Sequence, residues 1–297
     1  MNAKERGFLL LTCQLGVPER KPLTVAQFRT LAKRMQAGQR PTEERELTAA
    51  DIVAIGYNRS MADRIVSLLN DGFVLEKYLS RGKKQDCYPI SRISEQYPQI
   101  VHQRLGLDAP GCLWAKGDLS LLKMEKIALV GSRELAEVNR AFAEKVGMEA
   151  ARQGFTLVSG NARGADRVAQ QACLENGGKV ISIVADELCK CPLQENVLYL
   201  SEEGFDLPFS ATRALSRNRV IHVLGSRTFV AQASLGEGGT WSGTAKNLQN
   251  SWSPVFCFDD GSAAATELAQ MGAALIEPEQ LTDISALCAA ASSFLEE

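Results

Sequence analysis

The chain has 297 residues, of which 45% are hydrophobic and 23% charged, so its length suits one large domain or two ordinary domains. These proportions exclude a small disulfide-stapled scaffold and a disordered or collagen-like chain. The net charge of −2 gives no overall positive field that would attract polyanions. Any binding of phosphate must therefore come from a local patch of the surface.

The sequence indicates a cytoplasmic protein without metal or cofactor. The apolar run at residues 8–11 is too short to span a bilayer, and it has neither the flanks nor the cleavage site of a signal peptide. The eight cysteines are scattered, which is typical of buried free thiols in an intracellular chain. With only His102 and His222, a histidine-rich metal site or a Ser/His/Asp triad has little support.

Residues 1–105 predict a small helical N-terminal domain. Phe28 and Leu31 belong to an apolar pattern at helical spacing. Further along, Thr48 is placed to cap a helix that Gly56 would end, and a second helix is expected over 61–70. The segment 106–125 is richer in Gly, Pro and Asp, and we interpret it as the connection to a second domain.

Residues 126–297 alternate between short apolar runs and helical patterns. The runs at 126–131, 155–158 and 179–184 read as buried parallel strands, and the alternation continues to a last strand at 273–276. Short strand–helix–strand connections produce right-handed crossovers and a parallel sheet covered on both faces. The predicted fold class is α/β: an extended Rossmann-like, doubly wound, mostly parallel sheet, preceded by the small helical domain.

The loops that follow the predicted strands carry small residues, hydroxyls and arginines. Ligands of open parallel sheets bind at the carboxyl ends of the strands, where backbone N–H groups at helix N-termini hold phosphates. Arginines can add bidentate contacts to such a phosphate. The residues that this pattern selects are Gly131, Ser132 and Arg133 after the first strand, Ser159, Gly160, Asn161, Arg163, Gly164 and Asp166 after the second, and the glycine-rich loop at 236–244 after a later one.

Several of these residues have more than one interpretation. Asp166 could be a helix cap, an orienting partner of Arg163, or a contact to a ribose or base. Arg213 and Arg217 lie four residues apart on one predicted helix, where they either form a solvated face or bind successive phosphates. Trp241 and Trp252 are either core residues or stacking platforms. The chain contains neither GxGxxG after the first strand nor a P-loop, which disfavours a dehydrogenase or an ATPase.

An ordered set of motifs resembles the DNA-processing protein A family, also called DprA or Smf. The motifs are KIALVGSR at 126–133, LVSGNARGAD at 157–166, LSEE at 200–203, SRNRVI at 216–221 and SGT at 242–244, with a lead-in at 88–89 and 110–117. The resemblance covers about residues 88–276. It implies an extended Rossmann fold that binds single-stranded DNA without catalysis and helps to load a RecA-type recombinase. It also implies self-association, so we expect a homodimer.

The resemblance implies phosphate contacts from Gly131, Ser132 and Arg133, from Ser159, Gly160, Arg163 and Gly164, and from Arg217 and Asn218. We extend this candidate DNA-binding site to further residues of the same loops and helices, namely Asn161, Asp166, Arg213, Ser242, Gly243, Thr244 and Lys246. We expect no catalytic residue, no metal ligand and no membrane contact.

The chain differs from the family pattern at three positions. Asn161 stands where members usually have Gly, Gln170 where they have His, and Gln232 where they have Glu.

The glycine-rich stretch at 238–240 also resembles the phosphate loop of the related lysine-decarboxylase-like phosphoribohydrolases. An alternative function is therefore a sensor or phosphoribohydrolase for nucleotide-derived small molecules. The sequence leaves transformation, repair and defence against foreign DNA open as settings.

Overall fold

The computed structural model describes residues 1–38 and 45–287. Its centre is a nine-stranded sheet that follows a small group of helices. The strands are β1 (Tyr88–Ser91), β2 (Cys112–Gly117), β3 (Lys126–Val130), β4 (Thr156–Ser159), β5 (Lys179–Val184), β6 (Val197–Glu202), β7 (Thr228–Val230), β8 (Val255–Phe258) and β9 (Ala274–Ile276).

Eleven α-helices accompany the sheet in the described part of the chain. They are α1 (Ala3–Thr12), α2 (Val25–Ala37), α3 (Ala49–Ala54), α4 (Arg59–Asn70), α5 (Gly72–Lys83), α6 (Gln99–Leu105), α7 (Glu137–Arg152), α8 (Ala165–Glu175), α9 (Ala211–Leu224), α10 (Gly238–Asn250) and α11 (Ala263–Gln270). Within residues 1–38 and 45–287, none of the helices is long and apolar enough to cross a bilayer.

The strand order β1-β2-β6-β5-β4-β3-β7-β8-β9 makes β3 the topological switch point of the sheet. From β3 the chain builds outward through β4, β5 and β6, and it then returns to the other side of β3 with β7, β8 and β9. All of these seven strands run parallel, whereas β2 pairs antiparallel with β6 and β1 pairs antiparallel with β2. The α/β, mostly parallel, Rossmann-like fold is thus confirmed.

The two faces of the sheet bury separate hydrophobic clusters, because successive side chains of a strand point to opposite faces. On one face Ile127 and Leu129 of β3 pack with Phe142 of α7, while on the other face Ala128 and Val130 belong to the cluster of α9. Both faces are therefore covered by helices, as a parallel sheet requires.

The N-terminal helices form a third cluster that includes Phe28 and Leu31 of α2 and Ile65 of α4. Thr48 caps α3 as predicted, because its hydroxyl accepts a hydrogen bond from the N–H of Asp51. The second predicted helix is α4, which begins two residues earlier than expected.

Three strands differ from the sequence expectations. The segment 88–91 forms β1 where helix was expected, 112–117 forms β2 inside the expected connection, and 197–202 forms β6, which the apolar pattern did not reveal. Nearly all residues of β2 and β6 are buried, so neither strand shows the alternation that marks a half-exposed strand. The division of the chain into domains at 105 and 125 stays a prediction.

An aromatic cluster joins the N-terminal helices to the sheet. Tyr78 of α5 lies edge-on to Trp114 of β2 at 5.1 Å and is stacked with Phe205 at 4.4 Å between ring centroids. The Tyr78 hydroxyl donates a 2.5 Å hydrogen bond to Asp206, and it accepts one from the N–H of Phe205. These contacts fix the loop at 203–210, which leads into α9.

Candidate functional site

A groove lies across the carboxyl ends of β5, β4, β3 and β7, at the topological switch point. It consists of two adjoining cavities that share Arg133, Ala162 and Arg217 in their walls. The larger, with a volume of about 430 Å³, is bounded by the N-terminal ends of α9 and α10, and we call it the α10 cavity. The smaller, of about 270 Å³, extends toward Phe209 and is called the Phe209 cavity.

Arg217 forms the floor between the two cavities. The residue is only 8% exposed, yet its Nε and Nη1 atoms have no hydrogen-bond partner among the described residues. Its Nη2 atom lies 3.6 Å from Oδ2 of Asp166. A buried polar group without a partner costs free energy, and a guanidinium group matches the oxygens of a phosphate. Arg217 is therefore suited to hold an anionic group in this groove.

Asp166 holds both Arg217 and the loop that follows β4. Its carboxylate accepts hydrogen bonds from the N–H groups of Gly160 and Ala162, the latter at 3.2 Å. Burial raises the pKa of Asp166, while the charge of Arg217 and these N–H donors act in the opposite direction. Of the interpretations open from the sequence, the structure favours an orienting role, but the oriented arginine is Arg217. Arg163 instead pairs with the exposed Glu134 at 3.0 Å.

Two glycines permit the close contacts around this pair. A Cβ atom on Gly160 would lie 1.5 Å from Nη1 of Arg217, so only glycine lets the guanidinium lie against the backbone. Gly164 has a φ of +89°, which is accessible to glycine, and a Cβ atom there would lie 2.4 Å from the carbonyl oxygen of Ser132. That carbonyl accepts a 3.1 Å hydrogen bond from Ala165 at the start of α8. The Gly131–Arg133 turn is thereby joined to α8.

The side chain of Ser159 is buried behind the loop and does not line either cavity. Its hydroxyl accepts a 2.7 Å hydrogen bond from Nε2 of Gln170, which also donates to the carbonyl of Gly160. Gln170, which stands where the family pattern has His, thus stabilises the turn through these hydrogen bonds. Asn161, by contrast, lines the Phe209 cavity, and Gln232 accepts a hydrogen bond from the N–H of Ala136.

The N-terminus of α10 opens onto the α10 cavity through Gly238, Gly239 and Thr240. The side chain of its N-cap residue, Glu237, makes no capping hydrogen bond to the first turn. Asn218 of α9 donates a 2.9 Å hydrogen bond to the carbonyl of Gly239, which fixes the first turn beside Arg217. The first N–H groups of a helix lack intrahelical partners and attract anions. The cavity is therefore lined both by the N-terminal turn of α10 and by Arg217.

A helix is expected from about Thr240 to Asn250, and α10 confirms it but begins at Gly238, so only the first two residues of the glycine-rich stretch 236–244 are loop. Gly243 contacts His222 of α9, and Thr244 is buried. Together with Ser242 and the exposed Lys246, these residues lie on α10 outside the lining of both cavities. Their role in binding stays a prediction.

The three arginines of α9 have different environments. Arg213 donates hydrogen bonds to the carbonyl oxygens of Ala185 and Leu207 at 2.7 and 2.9 Å, so it fastens the loop before α9 to the end of β5. Arg219 pairs at 2.6 Å with the buried Glu202. Arg213 and Arg217 therefore do not form one phosphate-binding face, since the donors of Arg213 are engaged with the protein.

Two residues of the groove were not found from the sequence. Phe209 is 55% exposed at the mouth of its cavity, with the guanidinium carbon of Arg133 5.8 Å from the ring centroid. Asp186 lies two residues beyond the end of β5 and lines the same cavity. Its position just beyond a buried strand was the signal that could have indicated it. Trp241 and Trp252 pack against the core of the α9 face.

Comparisons with known proteins agree on one family. The model of the family described as DNA recombination-mediator protein A matches residues 89–287. The chain is 34% identical over 173 residues to DNA processing protein DprA of Streptococcus pneumoniae, a match that covers 55% of this chain and 57% of that protein. It is 29% identical over 258 residues to protein Smf of Escherichia coli, covering 81% and 67% of the two chains.

Solved structures show the same fold. The crystal structure of DNA processing protein A from S. pneumoniae superposes with a TM-score of 0.70 at 24% identity, covering 95% of this chain and 96% of that chain. DNA processing protein A from Helicobacter pylori, whose single-stranded DNA binding mode has been described structurally, gives a TM-score of 0.56 at 24% identity and covers 66% of this chain and 94% of that chain.

Proposed function

The chain belongs to the DNA recombination-mediator protein A family, and on this premise we propose that it binds single-stranded DNA in the strand-end groove. In this proposal the protein acts in the cytoplasm as a homodimer without catalysis. It protects the strand and helps a RecA-type recombinase to load on it. The S. pneumoniae and H. pylori relatives are DNA processing proteins, and the H. pylori protein binds single-stranded DNA. Both observations support single-stranded DNA as the ligand of this chain.

The observation that carries the proposal is the buried, incompletely bonded guanidinium of Arg217. It lines both cavities and is only 8% exposed, so an anion bound in the groove would supply an acceptor that the described residues do not provide. The N-terminal turn of α10 lines one of the same cavities. Both features favour the binding of a phosphate group, and neither distinguishes one base from another. We therefore expect binding that depends on salt and only weakly on sequence.

The groove is also suited to a strand longer than one nucleotide. Arg133 and Arg163 are exposed beside the buried Arg217, so positive groups continue from the floor of the groove to its rim. The exposed ring of Phe209 adds an apolar surface for a base that is not paired. Bases of a duplex are stacked on each other and cannot reach such a ring, which favours the single strand.

The test is fluorescence anisotropy of a labelled oligonucleotide titrated with the protein at several salt concentrations, with duplex DNA and mononucleotides as competitors. We expect the affinity for the oligonucleotide to fall as the salt concentration rises. Duplex DNA and mononucleotides should compete only weakly. Arg133→Ala should lower affinity and reduce the salt slope by about one contact. Arg59→Ala is the matched control, since Arg59 is an exposed arginine of α4.

Two outcomes would contradict the proposal. Absence of oligonucleotide binding at low salt would remove DNA as the ligand. A rise in thermal stability with a mononucleotide, together with release of its base, would instead support the phosphoribohydrolase function, because a ligand that binds only the folded state raises its apparent stability.

A further inference from the structure

We propose that a cavity between the N-terminal helices and the segment after β1 binds a small amphipathic anion, an apolar chain or ring that carries one carboxylate. We call it the α1 cavity, because one face of α1 forms part of its wall. It shares no lining residue with the strand-end groove, so the proposal does not depend on the binding of a DNA strand.

The α1 cavity has the size and the walls of a small-molecule site. Its volume is about 630 Å³, within the range of about 300–1,000 Å³ that is typical of ligand pockets. Apolar side chains of α1, α2 and α4 line it, among them Phe8, Leu11, Phe28, Leu31 and Leu69. Phe8, Leu11 and Leu69 are only partly buried, although they pack against the third hydrophobic cluster. An apolar ligand would therefore complete the helical core by covering these side chains.

One face of α1 runs along the cavity. Lys4, Gly7 and Leu11 line it, and their spacing of three and four residues places them on the same side of the helix. A Cβ atom on Gly7 would meet nothing within 4 Å. The wall is thus open beside Gly7, so an extended chain can lie along α1 between Lys4 and Leu11.

The charged residues that line the cavity in the described part of the chain are all basic, namely Lys4, Arg45 and Arg92. Arg45 is paired with Asp51, whereas Lys4 and Arg92 form no ion pair within residues 1–38 and 45–287. The guanidinium of Arg92 donates only to carbonyl oxygens, including that of Gly106 at 2.5 Å. Positive charges without a counterion beside an apolar cavity favour an anion over a neutral or cationic ligand.

The basic groups adjoin each other in the wall. Ser91, the residue before Arg92, donates a 3.3 Å hydrogen bond to the carboxylate of Glu5, which follows Lys4 in α1. His102 also lines the cavity, and its imidazole makes no hydrogen bond within the described ranges. Burial lowers the pKa of His102, and the charge of Arg92 acts in the same direction, so the ring is neutral at pH 7 and keeps one N–H to donate. A carboxylate bound there would meet an ammonium group and this N–H, while its apolar body covers the helical core.

The probes are decanoate, decyltrimethylammonium and decanol, which have the same chain length and differ in the charge of the head group. Isothermal titration calorimetry of the full chain, below the micelle concentration of each probe, gives the three affinities. We expect decanoate to bind at least about tenfold more tightly than decyltrimethylammonium, because a charge-assisted hydrogen bond is worth that factor. Decanoate should also raise the melting temperature, since a ligand that binds only the folded state stabilises it.

Gly7→Leu tests the location of the site. The leucine side chain would extend from the open wall of the α1 cavity and exclude the probe, so the affinity for decanoate should fall by about fivefold or more. The variant should be at least as stable as the wild type, because leucine favours the helix more than glycine does and buries apolar surface. Ala141→Leu, at an exposed position of α7 outside the cavity, is the control and should bind decanoate like the wild type.

Lys4→Gln tests the preference for an anion. The affinity for decanoate should fall by about threefold, as for an exposed ion pair, and the affinity for decanol should stay the same. Lys33→Gln removes an exposed lysine of α2 that does not line the cavity, so it should change neither affinity.

Each part of the inference can fail separately. If decanoate neither bound nor raised the melting temperature, the α1 cavity would not be a ligand site. Equal affinities for decanoate and decyltrimethylammonium would overturn the preference for an anion, and undiminished binding to Gly7→Leu would place the ligand elsewhere. Affinity for the labelled oligonucleotide should be the same in Gly7→Leu and the wild type, so failure of this inference leaves the proposed function intact.

Discussion

Arg217 and Asp166 form a buried ion pair in which only one side of the guanidinium is used, with Nη2 3.6 Å from Oδ2 and with Nε and Nη1 left unbonded in the described structure. Asp166 itself is held by the N–H groups of Gly160 and Ala162. The pair therefore links the loop after β4 to α9. Arg217 also lines both cavities of the groove, where a ligand could reach its guanidinium.

Gly160→Ala should disrupt this arrangement. The added Cβ atom would lie 1.5 Å from Nη1 of Arg217, so the guanidinium must leave its position. We expect a loss of stability of about 1–3 kcal/mol, as for other overpacked sites, together with a loss of oligonucleotide affinity. Urea denaturation and anisotropy measure the two effects.

The matched control is Gly7→Ala in α1, where a Cβ atom meets nothing within 4 Å. A helical Gly→Ala change in open space should stabilise the protein by about 0.5–1 kcal/mol and leave binding unchanged. If Gly160→Ala bound the oligonucleotide as tightly as the wild type, the assignment of Arg217 to the ligand would be wrong.

Tyr78→Phe should affect the groove from a distance. The substitution removes the hydroxyl that bonds Asp206 at 2.5 Å and the N–H of Phe205 at 3.1 Å. Leaving these partners unsatisfied should cost about 1–3 kcal/mol of stability. Because the loop at 203–210 carries Phe209, anisotropy should also show weaker binding. Tyr88→Phe, at an exposed tyrosine of β1, should change neither quantity.

The buried side chain of His222 should make the stability of the protein depend on pH. Burial lowers the pKa of His222 to about 3, and Nδ1 lies 3.2 Å from Nδ2 of Asn247. The unfolded chain takes up this proton near pH 6.5, whereas the folded protein does not. The contribution of His222 to stability should therefore be fully present above pH 6.5 and be lost as the pH falls, by up to about 1.4 kcal/mol per pH unit.

Urea denaturation of the wild type and of His222→Gln at several pH values between 7 and 4.5 tests this expectation. Glutamine does not titrate, so the variant should show a shallower decline in the free energy of unfolding with falling pH. Equal slopes in the two proteins would show that His222 is not buried in its neutral form.

Six of the seven parallel strands, all except β6, could be predicted from the sequence because buried strands such as 126–131 and 179–184 are continuous apolar runs between helical patterns. The antiparallel strands could not, since β2 pairs with β6 from a distant part of the chain and neither shows a period of two. Strand ends indicated Arg133 and Asp166. Asp186 and Phe209 lie beside them only because of the order of the strands in the sheet. That order cannot be predicted from the sequence pattern.

The different roles of Arg213 and Arg217 also lay beyond the sequence. Their spacing on one helix is equally consistent with two phosphate contacts. Only the fold shows that the carbonyl groups at 185 and 207–208 occupy Arg213, while Gly160 leaves room for Arg217.

The contact between Arg217 and the strand is tested by the salt dependence of single-stranded DNA affinity for the wild type, Arg217→Lys and Arg217→Ala, with circular dichroism to confirm that each variant is folded. We expect Arg217→Ala to bind more weakly and to lower the slope of log affinity against log salt by about one contact. Arg217→Lys should restore the slope but not the affinity, because lysine keeps the charge and loses the bidentate edge. If all three proteins showed the same affinity and the same slope, Arg217 would not contact a phosphate of the bound strand.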